Sequence, residues 1–351
     1  MPIQSIARTV RSLAAAAAVA LIVSGSFFVS AQEPSRSPGG FTFRTASDLV
    51  ALNATVTDAS GHAVTGLRAE DFIVYEDGER QSVSQFEAER VPVSLGLALD
   101  TSGSMVGERM SAAKAAVSRF VVDLLSPRDE VFLYRFDSRP TLVQGWTDDR
   151  REVVRSLGSI DPTGGTALYE AVAEAVPLAA TGTRRKKALV VISDGNDTDS
   201  DITVGELRQV IRESEVMVYA IGIEGSGAGS SSPRTLPLPW PGGSGGTIQL
   251  PWPRRPPAPS SRRAPGRAGQ QDRVNVEALR MITDDSGGRT EIISSSRDLD
   301  RATAGIGSEL SQQYFVGYVS TRPQDGRWHR IDLRVSNGSY VVRARKGYVA
   351  N

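Results

Sequence analysis

Leu97-Ala98-Leu99-Asp100-Thr101-Ser102-Gly103-Ser104-Met105 closes an apolar run with a carboxylate and two hydroxyls at alternate positions. A buried strand that delivers such oxygens to the loop at its tip offers what a hard divalent cation takes as ligands. Two distant stretches complete the set. Gly164-Gly165-Thr166 opens a helical pattern and adds a third hydroxyl, and Leu189-Val190-Val191-Ile192-Ser193-Asp194-Gly195 ends a second apolar strand with another carboxylate. The candidate metal ligands are therefore Asp100, Ser102, Ser104, Thr166 and Asp194. An oxygen-only set with two carboxylates suits Mg²⁺, Mn²⁺ or Ca²⁺ and not zinc, and it leaves the ion electrophilic toward an outside carboxylate.

Working outward, near-continuous apolar runs at Val93–Leu99, Val131–Phe136, Ala188–Ile192 and Val216–Ile223, with a weaker one at Thr290–Ile293, read as strands covered on both faces. Between them lie helical stripes: Met110, Ala113, Val117, Phe120, Val121 and Leu124; Leu168, Val172, Ala175, Val176 and Ala179; Val204, Leu207, Val210 and Ile211; Val276, Leu279 and Ile282; and Leu299, Ala302, Ile306 and Leu310. Such alternation predicts an α/β fold with a doubly wound, mostly parallel sheet and helices on both faces. In such a sheet ligands bind where the winding order reverses, and the strands ending at Asp100 and Asp194 are the expected central pair.

The flanks differ in kind. Residues 41–90 and 313–351 carry short strand patterns broken at Asp58-Ala59-Ser60-Gly61, Glu76-Asp77-Gly78, Pro323-Gln324-Asp325-Gly326 and Ser336-Asn337-Gly338. Neither flank has enough strands to bury a core alone, so the two are expected to pair into one antiparallel β-sandwich-like module, with the domain at 91–312 inserted between its halves. Within that domain, residues 226–272 hold ten of the chain's nineteen prolines and read as an exposed insertion. Leu238-Pro239-Trp240-Pro241 recurs there as Leu250-Pro251-Trp252-Pro253, which makes Trp240 and Trp252 candidate anchors for a partner; the plainer account is a polyproline-like loop.

At the N-terminus, Arg8 and Arg11 precede an apolar segment from Leu13 to Val29, and Val29-Ser30-Ala31 suits cleavage after Ala31. Residues 1–31 thus read as a signal peptide and the protein as exported: periplasmic, secreted or held at the cell surface. The segment approaches the length of an uncleaved anchor, against which Gly25 and the alanine run argue.

Lys+Arg and Asp+Glu balance at 40 each, so no basic field points to nucleic acid as a partner. The absence of cysteine excludes disulfides, thiolate zinc sites and cysteine nucleophiles. His62 and His329 are the only histidines, too few for a histidine metal site and poor material for a Ser-His-Asp triad. His62 reads as a turn residue and His329 as part of a strand. Asp100-Thr101-Ser102-Gly103 also mimics an aspartic protease, but the second copy is missing, since Ser193-Asp194-Gly195-Asn196 lacks the hydroxyl-glycine continuation. No general base stands near the hydroxyls apart from the ligands themselves, so no catalytic residue and no small-molecule substrate is read and the chain is expected not to be an enzyme. The acidic run Asp194, Asp197, Asp199 and Asp201 lacks the spacing of a helix-loop-helix calcium site and reads as a solvated turn, with Asp201 the expected cap of the helix near Val204.

The five oxygen side chains, in their order and spacing, resemble the metal-ion-dependent adhesion site of von Willebrand factor type A domains, a likeness that spans about Val93 to Leu310. It implies Ser102, Ser104 and Thr166 as direct ligands, with Asp100 and Asp194 coordinating directly or through water. The flanks, through Val64-Thr65-Gly66-Leu67, Asp71-Phe72, Glu76-Asp77-Gly78 and Arg343-Ala344-Arg345-Lys346-Gly347-Tyr348, look like a group of secreted bacterial von Willebrand factor A-related proteins, for which the family implies no settled role. The expected function is an exported adhesion module that engages protein ligands through a divalent cation, the ligand offering a carboxylate. The rival expectation is a structural subunit of a cell-envelope assembly with a fixed partner.

Overall fold

The structure of the chain, a computed structural model, describes residues 49–88, 90–224 and 274–350. The leader read over 1–31 and the insertion read over 226–272, with Trp240 and Trp252, lie outside them. No helix among the described residues is long and apolar enough to cross a membrane.

The centre is a six-stranded sheet. Its strands, in chain order, are β5 (Val93–Asp100), β6 (Glu130–Phe136), β7 (Pro140–Thr147), β8 (Lys186–Ser193), β9 (Met217–Ile223) and β10 (Thr290–Ile293). They lie in the order β10-β9-β8-β5-β6-β7. All neighbours pair in parallel except β7, which runs antiparallel at the edge. All eight residues of β5 are buried, which is why this strand carries no polar alternation. Odd-numbered Leu95, Leu97 and Leu99 pack on one face with helices α1 (Glu108–Arg119), α2 (Arg150–Leu157) and α6 (Ser296–Gln312). On the other face Ala98, Leu189 and Val191 pack with α3 (Leu168–Ala180), α4 (Val204–Glu213) and α5 (Val276–Thr283). The expected strands and helical stripes all appear in these elements.

Two elements escape the pattern read from the sequence. Strand β7 exposes Leu142 at an edge and α2 buries only Val153 and Leu157, so neither carries a full apolar stripe. Their role shows in Arg150, which donates to the carbonyls of Val122 and Leu125 and so closes the π-helical turn Phe120–Leu124 that ends α1.

Two antiparallel four-stranded sheets form the second module. In one, β1 (Leu49–Thr57) lies between β11 (Tyr314–Val319) and β13 (Val341–Arg343), with β4 (Val83–Glu87) beyond β11. In the other, β12 (Trp328–Val335) lies between β2 (Phe72–Glu76) and β14 (Gly347–Val349), and β3 (Glu79–Gln81) closes the edge. Each sheet mixes strands from before and after the central domain. One core, with Leu52, Val74, Val316, Tyr314 and Leu333, joins them. The turn between β2 and β3 has Asp77 at φ 49° and Gly78 at φ 85°, the double positive-φ geometry of a tight hairpin. His62 is exposed in the Asp58 turn and His329 lies in β12, as read from the sequence.

Candidate metal-binding site

Strands β5 and β8 are adjacent and parallel, with Leu99 opposite Ile192, so Asp100 and Asp194 emerge side by side at their carboxyl ends. Here the winding reverses, because β6 lies on one side of β5 and β8 on the other. The loop after Asp100 is stitched to its neighbours by backbone hydrogen bonds: Thr101 N–H to Phe136 O at 2.7 Å, Thr163 N–H to Thr101 O at 2.7 Å, and Gly103 N–H to Gly164 O at 3.0 Å. The last two bring the Gly164-Gly165-Thr166 loop against the Ser102–Ser104 loop. Gly164 takes φ 72°, a conformation that L side chains rarely adopt.

Asp100, Ser102, Ser104 and Asp194 lie together at this strand end, and the loop that carries Thr166 is held against them through Gly103 N–H to Gly164 O. Asp100 and Asp194 are fully buried, Ser102 and Thr166 nearly so, and Ser104 half-buried. Asp100 Oδ1 accepts from Ser102 N–H at 2.9 Å and Oδ2 from Ser193 Oγ at 2.5 Å. Asp194 Oδ1 accepts from Asn196 N–H at 3.1 Å. Thr166 is held through its backbone: its N–H donates to Thr198 Oγ1 and its carbonyl accepts from Thr198 and Asp199 N–H. Burial pushes the Asp100 carboxyl up to about 6, and the charge of Asp194 adds to the rise against the hydrogen bonds from Ser193 and Ser102.

Among the described residues no three or more His, Cys, Asp or Glu side chains are grouped so as to hold an ion. The candidate set is of another kind, two carboxylates with the remaining oxygens from hydroxyls. Ser102 Oγ and Ser104 Oγ lie 3.0 Å apart. The two hydroxyls are hydrogen-bonded to each other, a separation also compatible with neighbouring oxygen ligands of an octahedral ion, about 3 Å apart at metal–oxygen bonds of about 2.1 Å. The two buried carboxylates supply the charge such an ion requires.

Two participants were not read from the sequence. Ser193, one residue before Asp194, ties β8 to Asp100. Arg109, in the first turn of α1, donates from Nη1 to the Ser104 carbonyl at 2.8 Å and lies 3.4 Å from Asp194 Oδ2. The only signal for Arg109 was its place five residues after Ser104. The acidic run does more than turn in solvent: Asp197 Oδ1 accepts from Leu168 N–H at 2.9 Å and so caps α3 beside Thr166. The cap of α4 is Thr203, paired with Glu206, and not Asp201, because a residue directly before the first helical turn is the one whose oxygen reaches its free N–H groups.

Residues 95–196, which hold all five candidate ligands, match the family model of the von Willebrand factor type A domain. In sequence the chain is similar to inter-alpha-trypsin inhibitor heavy chain H4 of Homo sapiens, 24% identical over 149 residues that make up 39% of this chain and 16% of that protein. Heavy chain H4 of Bos taurus is 29% identical over 127 residues, 33% of this chain and 13% of that one. The chain thus spans less than a fifth of the length of these relatives. Among solved structures it is similar to the conserved hypothetical protein BatB of Bacteroides thetaiotaomicron, 23% identical with a TM-score of 0.44, covering 62% of this chain and 97% of that one. The vWF domain of the type V pili tip protein Mfa5 from Porphyromonas gingivalis is 25% identical with a TM-score of 0.30, covering 34% of this chain and 44% of that one. The matched family model and the sheet that carries its residues together show that residues 95–196 carry a von Willebrand factor type A domain.

Proposed function

We propose that the chain is an exported, non-enzymatic binding module that engages a protein ligand through a divalent cation, Mg²⁺ or alternatively Mn²⁺ or Ca²⁺, held by Asp100, Ser102, Ser104, Thr166 and Asp194. The observation that carries this reading is the pair of fully buried carboxylates beside two hydroxyl oxygens 3.0 Å apart, at the strand ends where an α/β sheet takes its ligand. When bound, the ion would supply an electrophilic position for a carboxylate oxygen of the partner. The protein's own groups do the rest: Ser193 and the Ser102 N–H orient Asp100, and the Thr198 hydroxyl orients the Thr166 backbone. Neither nucleic acid nor a small-molecule substrate enters this reading. Trp240 and Trp252 would give the partner a second contact, and the leader over 1–31 supports export to the periplasm, the medium or the cell surface.

Calorimetry with Mg²⁺ and Mn²⁺ on the wild type and on Asp100→Ala tests the site, with binding expected for the first and lost in the second. A pull-down from the envelope fraction of the producing cells, with and without EDTA, tests the use. Capture that the chelator releases supports the binding module; capture insensitive to chelation replaces it with a structural subunit holding a fixed partner.

A further inference from the structure

Two carboxylates buried side by side need positive charge next to them, because desolvation removes the water that would otherwise stabilise each. Asp100 and Asp194 are both 0% exposed. The guanidinium of Arg109, its side chain 8% exposed, reaches Asp194 from α1. One nitrogen, Nη1, lies 2.8 Å from the Ser104 carbonyl and 3.4 Å from Asp194 Oδ2. A single side chain therefore ties the loop of Ser102 and Ser104 to the loop of Asp194.

Arg109 is the second residue of α1, where the helix dipole disfavours a cation. Its placement there is explained by what it faces. The side chain also borders a cavity of 280 Å³ whose lining includes Ala112, Ile223, Glu224 and Leu299.

We propose that Arg109 is the resident counter-charge of the metal site, a positioning residue that holds Asp194 in the metal-free protein and yields to the divalent ion, thereby setting how tightly the ion binds. The inference rests on the metal-site reading above. A guanidinium beside the ion opposes binding by charge repulsion, and it stabilises the metal-free loops by the same charge. The two effects have opposite signs, which a purely structural anchor for α1 would not produce.

The test is calorimetry with Mg²⁺ and Mn²⁺ on wild type, Arg109→Gln and Arg109→Lys, paired with thermal unfolding in EDTA and in saturating Mg²⁺. Arg109→Gln is expected to bind Mg²⁺ roughly tenfold tighter, to melt lower than wild type in EDTA, and to melt with wild type in Mg²⁺. Arg109→Lys, which keeps the charge, is expected to track wild type in both. An Arg109→Gln dissociation constant unchanged or weaker, or a melting loss equal with and without the ion, overturns the inference and leaves the metal site standing. Absence of binding in wild type fells both. Wild-type crystals grown with Mn²⁺ give a second readout that needs no variant: the exchange expects the guanidinium to have left Asp194 Oδ2, and retention of the 3.4 Å contact beside a bound ion contradicts it.

Discussion

Two buried charge clusters in this molecule are built to different rules. Where the central domain meets the sandwich, Glu309 of α6 accepts from Thr55 Oγ1 at 3.0 Å and Tyr219 Oη at 3.1 Å on Oε1, and its Oε2 is ion-paired with Arg343 Nη2 at 2.7 Å and Arg289 Nε at 3.1 Å. Two full positive charges and two hydroxyls meet one carboxylate. At the carboxyl end of β5 and β8, two carboxylates lie together and the guanidinium of Arg109 is 3.4 Å from Asp194 Oδ2. The first cluster joins β1, β9, β13 and α6, with more positive than negative charge around Glu309. In the second, burial pushes the Asp100 carboxyl up to about 6, with a smaller contribution from the charge of Asp194. The first arrangement ties the two modules together; on the proposed reading, the second leaves its carboxylates for a cation to neutralise.

The largest effect that separates the clusters is expected from Glu309→Ala. It removes the carboxylate from Arg343 and leaves Arg289 with Glu291 alone, a loss of about 2–3 kcal/mol, or a melting point lower by about 4–10 °C. Ion affinity should not change. A drop under about 2 °C in a thermal scan would show that the junction cluster is not what holds the modules.

Asp100→Asn should act in the opposite sense. The folded pKa of Asp100, about 6, lies above its ordinary value of 3.8. In the metal-free protein its contribution to stability is therefore fully present below about pH 3.8 and is lost as pH rises through about 6. Removing the charge at pH 8 should raise the melting point in EDTA by several degrees while abolishing ion binding, and the gain should vanish below pH 4. In wild type, ion affinity should fall about tenfold per pH unit below about pH 6, because the ion must displace that proton. Denaturation in EDTA across pH, with calorimetry alongside, checks both. A variant that melts lower than wild type at pH 8 would break the contrast.

The smallest effect is expected from Gly165→Ala. A Cβ there would sit 2.2 Å from Asp199 Oδ2, so the exposed Asp199 side chain must move away from the Thr166 loop. Ion binding should weaken by about two- to fivefold with a melting change under about 2 °C. Unchanged affinity would show that the Thr166 loop tolerates displacement of its neighbour.

How much of this was legible in the sequence follows from where each signal is stored. The strand ending in Asp100 and the one ending in Asp194 are written in contiguous residues, and so are the hydroxyls of Ser102, Ser104 and Thr166. The helices with full stripes could be read for the same reason. Strand β7 and helix α2 could not, because an edge strand and a short charged helix bury too few residues to impose a period. The mixing of both flanks in each sandwich sheet was foreseen from the shortage of strands in either. The pairing itself, such as Leu49 with Val319, joins residues far apart in the chain and has no local mark. Arg109 and Glu309 were invisible for that reason too. Each looks like one polar residue on an amphipathic helix, and its meaning lies in contacts to Asp194, Thr55 and Arg343 that only folding creates.

The most direct measurement of the central claim is a crystal of the protein soaked in Mn²⁺, with data collected for anomalous scattering. The account predicts one strong anomalous peak among Ser102 Oγ, Ser104 Oγ and Thr166 Oγ1, next to Asp100 and Asp194, with direct metal–oxygen distances of about 2.0–2.3 Å. No peak there at saturating Mn²⁺, or a peak only elsewhere on the surface, would contradict it.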